Sequence, residues 1–94
     1  ARAAALGDRM LGAFRERLER VSGVREMRGR GLMLGIELDR DCGVLVRRAL
    51  DAGLLINVTA GNVIRLLPPL VITDDEADRI VDGVSTLVRD FLGT

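Results

Sequence analysis

Four residue types with distinctive chemistry are missing from this chain of 94 residues. It contains no histidine, lysine, tyrosine or tryptophan, so all 14 of its basic side chains are arginines. Without lysine it cannot form a Schiff base with a carbonyl compound, and without histidine and tyrosine it lacks the commonest proton-transfer groups. One cysteine, Cys42, cannot build a zinc site or an internal disulfide. We therefore expect no catalytic residue and no metal site, and we expect that the chain alone is not a complete enzyme.

The chain also lacks an excess of charge and a long apolar run. Its 14 Asp and Glu residues balance the arginines, and the two signs are interleaved. A nucleic-acid interface usually combines a basic stripe with stacking aromatics. Here Arg25, Arg28 and Arg30 cluster without an aromatic neighbour, which is more typical of a solvated hairpin. No segment approaches the roughly 18 apolar residues of a membrane span. We expect no nucleic-acid or membrane partner and, without a signal peptide or disulfides, a cytoplasmic location.

The length and composition predict one small globular domain covering residues 1–94. Apolar residues make up 48% of the chain and charged residues 30%, which are ordinary proportions for a folded domain. The sequence begins inside an apparent helix. We therefore expect the chain to be part of a longer protein.

The first and last of three predicted helices have apolar residues at spacings of three and four. The first covers residues 3–21. The last follows Thr73, which with Glu76 has the pattern of a capping box. The residues expected to face the core are Leu6, Met10, Phe14, Leu18 and Val21 in the first helix and Ala77, Ile80, Val81, Val84, Leu87, Val88 and Phe91 in the last.

A shorter helix is predicted over residues 42–52, with Asp39 or Asp41 as its N-cap. Its inward residues are expected to be Val46, Ala49 and Leu50. Cys42, near its start, has two interpretations. A small buried apolar side chain is the favoured one, and a thiol whose pKa is lowered by the helix N-terminus is the other.

Four short strands are predicted at residues 24–29, 32–38, 54–57 and 63–67, with side chains alternating between two faces. The face expected to meet the helices carries Leu32, Leu34, Ile36, Ile64 and Leu66. The other carries Met33, Gly35, Glu37, Val63, Arg65 and Leu67. The predicted fold is α+β: a two-layer sandwich of a mostly antiparallel sheet of three to four strands, with three helices on one face.

The second face of the sheet is too apolar to be left in water, so we expect it to contact another domain or chain. Arg65 interrupts that face. An arginine in a strand is most often solvated or paired with a structural carboxylate such as Glu37, and the alternative is that it binds an anionic ligand. Asn57 and Thr59 belong either to this interface or to a turn. The glycines at 29, 31 and 35 indicate a turn and a close-packed strand rather than a phosphate cradle.

Three segments together carry a family resemblance. "RGRGLMLGIEL" (28–38), "AGLLINVTAGNVIRLLPPLVIT" (52–73) and "DDEADRIVDGV" (74–84) resemble the C-terminal domain of class III pyridoxal-phosphate-dependent aminotransferases, in order and with the expected spacing. The resemblance implies a small domain packed on a large domain of the same chain, in an enzyme that works as a homodimer. It also implies that the catalytic lysine and the pyridoxal phosphate contacts lie in the large domain, with no cofactor-binding residue here.

The same resemblance implies a substrate-binding role for Arg65. In the family, the arginine of the "IRLLPPL" strand receives a carboxylate of the amino-acid or 2-oxo-acid substrate, and in the resting enzyme it can pair with a glutamate of the large domain. The chemistry suits that role, because a guanidinium meets a carboxylate through two parallel hydrogen bonds. A different class of function stays open at this point, a stand-alone α+β module that binds a ligand or a partner without catalysis.

Overall fold

The computed structural model describes residues 2–93, which form three helices and four strands. In chain order they are helix α1 (Arg2–Leu18), strands β1 (Val24–Arg30) and β2 (Met33–Leu38), helix α2 (Val44–Asp51), strands β3 (Asn57–Thr59) and β4 (Val63–Leu66), and helix α3 (Asp74–Leu92). The first helix ends at Leu18 rather than at residue 21. Beyond it the chain makes a tight turn, in which the Val21 amide donates to the Leu18 carbonyl.

The four strands make one sheet in the order β1-β2-β4-β3, and every neighbouring pair is antiparallel. In the two central strands Leu34 lies opposite Leu66, and Ile36 opposite Ile64. All four side chains are buried, and they share one core with residues of all three helices. The predicted α+β fold and the predicted alternation of β2 and β4 are therefore confirmed.

The helix layer depends on the apolar stripes of α1 and α3. The fully buried members are Leu6, Met10, Phe14 and Leu18 in α1 and Ala77, Val81 and Val88 in α3. Three further predicted residues of α3, Ile80, Leu87 and Phe91, are only partly buried at the edge of the core. The 3.6-residue period of these two long helices was enough to predict which face each of them buries.

Arginine–aspartate pairs join α1 to α3 along their solvent edge. The Arg9 guanidinium donates to Asp78 at 3.1 and 2.9 Å, and Arg17 contacts Asp82 at 2.7 Å. The hydrogen bonds from Arg9 hold the pKa of the Asp78 carboxyl below its usual range. Because these groups are largely exposed, each pair contributes little to stability.

A close approach of backbones sets the position of the β1–β2 turn. Gly7 is buried in α1, and a Cβ atom added there would lie 1.8 Å from the Gly31 carbonyl oxygen. Gly31 itself has a φ of 59°, in the left-handed region that favours glycine. The hairpin therefore rests directly on α1.

The start of α3 has the predicted capping box. The Thr73 hydroxyl accepts a hydrogen bond from the Glu76 amide at 3.1 Å, and the Thr73 amide donates to the Glu76 carboxylate at 2.9 Å. That second bond holds the pKa of Glu76 below its usual range. The helix ends at Gly93, whose φ of 82° is also left-handed.

The predicted inward face of α2 is confirmed at Ala49 and wrong at Val46 and Leu50. Leu45 and Ala49 are buried, whereas Val46 and Leu50 are exposed, and the N-cap is Gly43 rather than an aspartate. The reason lies before the helix, where the Cys42 amide donates to the Gly61 carbonyl at 2.8 Å and Cys42 is buried. With position 42 fixed in the core, the following inward positions are 45 and 49.

The third strand is displaced from its predicted position. Residues 54–56 are not paired, and β3 begins at Asn57. Its pairing with β4 starts at the turn, with Thr59 opposite Val63, and continues to Asn57 opposite Arg65. A strand over 54–57 would extend to a partner near Pro68, which has no amide hydrogen to donate to a ladder.

Candidate functional site

A row of four residues crosses the sheet on the face away from the helices. Arg28 lies opposite Gly35, Gly35 opposite Arg65, and Arg65 opposite Asn57, so the row spans all four strands. Directly opposed residues in antiparallel strands project to the same side. The predicted placement of Met33, Gly35 and Arg65 on this face is confirmed, with Met33 and Arg65 exposed and Gly35 partly so.

Arg65 lies between two open depressions on this face. One, of about 330 Å³, is lined by Arg28, Gly29, Arg30, Met33, Leu34, Gly35, Thr59, Val63 and Arg65. The other, of about 310 Å³, is lined by Met33, Leu55, Ile56, Asn57, Arg65, Leu66 and Leu67. A small molecule on either side of the Arg65 side chain is therefore within reach of the guanidinium group.

The Arg65 guanidinium has a neutral partner. Its Nη2 donates to the Met33 sulfur at 2.9 Å, and a thioether is a weak acceptor. Among the ion pairs of residues 2–93 none includes Arg65. Glu37, the predicted alternative partner, contacts Arg28 at 3.3 Å instead. The structure thus shows a cation whose strong, two-pronged hydrogen-bonding capacity is not used by a carboxylate of the described chain.

Large apolar side chains surround this cation. Met33 is 43% exposed, Leu67 is 70% exposed and Leu55 is 85% exposed. Val63 differs from the expectation of an open face, since it is only 9% exposed beneath its neighbours. The exposed apolar character of this face agrees with the sequence analysis, and the expected contact with another protein surface or a ligand stays a prediction.

The remaining residues singled out in the sequence either are structural or lie on the same face as Arg65. Cys42 is buried, and burial raises the pKa of its thiol, which confirms the interpretation as an apolar core residue. Asn57 and Thr59 are strand residues rather than turn residues, and each lines one of the two depressions beside Arg65. The arginines of the β1–β2 hairpin, at positions 25, 28 and 30, are all exposed, as predicted.

Sequence reasoning missed two contacts of this site, namely Met33 with Arg65 and Glu26 with Arg28. Arg28 Nη1 bonds Glu26 at 2.8 Å in addition to Glu37. The alternation of β1 and β2 was a usable signal, because it places residues 26, 28 and 37 on one face.

Two other kinds of feature are absent from residues 2–93. No three His, Cys, Asp or Glu side chains of this part of the chain lie close enough together to hold a metal ion. None of its three helices has the length and apolar character needed to cross a membrane.

Comparison with known proteins identifies the family. Residues 1–88 match the family described as Aminotransferase class-III. The chain belongs to the class III aminotransferase family. It is 54% identical over 87 residues to acetylornithine aminotransferase 1 of Bordetella bronchiseptica, covering 93% of this chain and 22% of that protein. It is 47% identical over 90 residues to acetylornithine aminotransferase of Methanothermobacter thermautotrophicus, covering 96% and 23%.

The fold is also that of a solved aminotransferase. The crystal structure of the ornithine aminotransferase from Toxoplasma gondii ME49 superposes with a TM-score of 0.86 and 33% identity, covering 96% of this chain and 22% of that one. This class III chain thus spans about a fifth of the length of the curated relatives that it matches.

Pyridoxal phosphate, which the family implies, does not fit the residues of this chain. The sequence has no lysine to attach it. The two depressions beside Arg65 are lined without a single aromatic side chain that could stack on a pyridine ring. The chemistry that this face can offer is recognition of an anion by a guanidinium group, next to an apolar surface.

Proposed function

We propose that this chain is the C-terminal small domain of an acetylornithine aminotransferase. The full enzyme would move an amino group from N-acetylornithine to 2-oxoglutarate with pyridoxal phosphate, as a step of arginine biosynthesis. The similarity to curated acetylornithine aminotransferases, at 54% and 47% identity over most of this chain, supports this choice within the family. Ornithine, succinylornithine and 4-aminobutyrate aminotransferases are the alternatives.

In this proposal Arg65 binds a substrate carboxylate. The observation that carries it is the exposed Arg65 guanidinium, which has a thioether and no carboxylate as its partner within residues 2–93. Both the amino-acid and the 2-oxo-acid substrates have a carboxylate that matches the guanidinium fork. Holding it fixes the orientation of the adjacent carbon for reaction, while Arg65 makes and breaks no covalent bond.

The rest of the enzyme supplies what this chain lacks. A large domain of the same chain would cover the apolar face around Met33, Leu55 and Leu67 and would provide the catalytic lysine and the cofactor contacts. We expect a cytoplasmic homodimer. The 94-residue chain by itself should bind no pyridoxal phosphate and catalyse no transamination, because it has no lysine.

The test is Arg65→Ala in the full-length holoenzyme. Loss of a charge-assisted hydrogen bond costs about 1.5–3 kcal/mol, so kcat/KM for both the amino donor and 2-oxoglutarate should fall roughly 10- to 150-fold. The cofactor content should stay at the wild-type level. Arg65→Lys should restore only part of the activity, because an ammonium group lacks the fork geometry.

Two results would contradict the proposal. If Arg65→Ala changes kcat/KM for both substrates by less than about twofold, Arg65 is a structural or surface residue. If the natural protein has no lysine-containing domain attached to this chain, the stand-alone binding module is the better interpretation. Turnover of N-acetylornithine against ornithine, N-succinylornithine and 4-aminobutyrate decides among the family members.

A further inference from the structure

Two glutamates face each other on the same side of the sheet as Arg65. Glu26 of β1 lies directly opposite Glu37 of β2, an arrangement that is unfavourable for like charges. Arg28 relieves it, because its Nη1 contacts Glu26 at 2.8 Å and Glu37 at 3.3 Å. The three side chains form a small network in which one cation is shared by two carboxylates.

Glu37 has two arginines within reach. Gly35 lies opposite Arg28 on one side and opposite Arg65 on the other, and Glu37 is two residues further along the same strand. It is therefore a diagonal neighbour of both arginines, at about 7–8 Å, which long side chains can bridge. In the structure Glu37 pairs with Arg28, and Arg65 donates to the Met33 sulfur.

Packing explains why Arg28 is available to Glu37. The Arg28 stem lies over Gly35: a Cβ built on that glycine would be 3.6 Å from Arg28 Cγ and 3.8 Å from Nε. With a bare backbone beneath it, the arginine lies across the sheet toward the middle strands. Its guanidinium thereby meets Glu37.

We propose that Arg28 is a positioning residue that keeps Glu37 from pairing with Arg65. In this arrangement Glu37 is neutralised by its neighbour on β1, and the Arg65 guanidinium is left for the substrate carboxylate. Without Arg28, Glu37 would turn to the remaining cation and compete with the substrate for it. The inference rests on the proposed role of Arg65, and it adds a reason why no carboxylate of the described chain pairs with that cation.

The test uses four variants of the full-length holoenzyme: Arg28→Met, Glu37→Gln, the double variant, and Arg47→Met as control. Arg47 forms an exposed ion pair with Asp51 on α2, so its loss reproduces the removal of an arginine from a surface pair. The readouts are kcat and KM for 2-oxoglutarate at saturating amino donor and low ionic strength, because salt screens such pairs.

Arg28→Met should raise KM for 2-oxoglutarate about two- to fivefold, the effect of an exposed ion pair acting as competitor. The kcat should stay unchanged, because the competition ends once the substrate is bound. Adding Glu37→Gln to Arg28→Met should bring KM back to the wild-type value. Glu37→Gln alone and Arg47→Met should leave KM unchanged.

The results that would overturn the inference differ from those that would overturn the proposed function. If Arg65→Ala impairs the enzyme but Arg28→Met does not raise KM, Arg28 has no positioning role and the function of Arg65 stands. If KM rises and Glu37→Gln fails to reverse it, Arg28 acts on the substrate directly or through the fold, and the competition is refuted. If Arg65→Ala is without effect, the proposed function itself fails.

Discussion

Gly7 allows α1 to approach the β1–β2 turn closely, because its side chain is a single hydrogen atom. A Cβ at Gly7 would lie 1.8 Å from a backbone oxygen, which cannot move aside like the end of a flexible side chain. Gly7→Ala should therefore lower the free energy of unfolding by about 1–3 kcal/mol through displacement of the β1–β2 turn. Urea unfolding of the protein, followed by circular dichroism, measures the effect.

The same helix offers a matched control. A Cβ at Gly12 would meet nothing within 4 Å, and Gly12 is exposed. Gly12→Ala should raise the free energy of unfolding by about 0.5–1 kcal/mol, because alanine loses less backbone entropy in a helix. Equal effects of the two substitutions would show that the close approach at Gly7 does not constrain the fold.

The candidate site shows how far individual residues can be predicted. Strand alternation was sufficient to put Arg65 on the face away from the helices. It could not predict that Glu37 contacts Arg28 rather than Arg65, since both arginines are diagonal neighbours of the same carboxylate. That choice depends on side-chain packing over Gly35, which a face assignment does not contain.

At the scale of elements, two leucines of α2 test which face of this helix is buried. Leu45 is 0% exposed and Leu50 is 57% exposed. Leu45→Ala should cost about 2–5 kcal/mol of unfolding free energy, because it leaves a cavity in the core. Leu50→Ala should change it by less than about 0.5 kcal/mol, as is usual at the surface. A larger loss for Leu50→Ala, in the same urea titration, would restore the original prediction.

The elements also show why some boundaries were predictable and others were not. The apolar stripes of α1 and α3 span four or more turns, so only one choice of buried face agrees with the apolar pattern along the whole helix. In α2, by contrast, Val44, Leu45 and Val46 are consecutive, and eight residues allow either of two inward faces. The start of β3 depends on the turn at Ala60 and Gly61, both with positive φ, and not on its own apolar pattern.

For the whole molecule, the pairs between α1 and α3 predict a dependence of stability on pH. The pKa of Asp78 is lowered in the folded state by its hydrogen bonds from Arg9. A lowered folded pKa contributes stability that is present above the unfolded pKa, near 3.8, and is lost as the pH falls through the folded value. The free energy of unfolding should therefore fall below about pH 4, and Arg9→Met should reduce that fall.

Urea titrations between about pH 2.5 and 7 measure this dependence. Asp78→Asn should also flatten the profile, because it removes the titrating carboxyl. Adding Arg9→Met to it should change the profile little, since the other contact of Arg9, with Asp74, is longer, at 3.6 Å, and exposed. A profile of Arg9→Met as steep as that of the wild type would show that Asp78 is not the titrating group.

The packing of α1 against α3 has a consequence for how the domain forms during synthesis. The bonds from Arg2 to Asp74 and from Arg9 to Asp78 join residues 72 and 69 positions apart. The apolar stripe of α1 is therefore made before its partner helix, and the part of it that packs on α3 stays uncovered until α3 has been synthesised. Contacts between such distant residues form slowly, because a long loop must close first. Folding of this domain can thus be completed only after α3 has been synthesised, and a nascent chain that stops before α3 leaves part of the α1 stripe exposed.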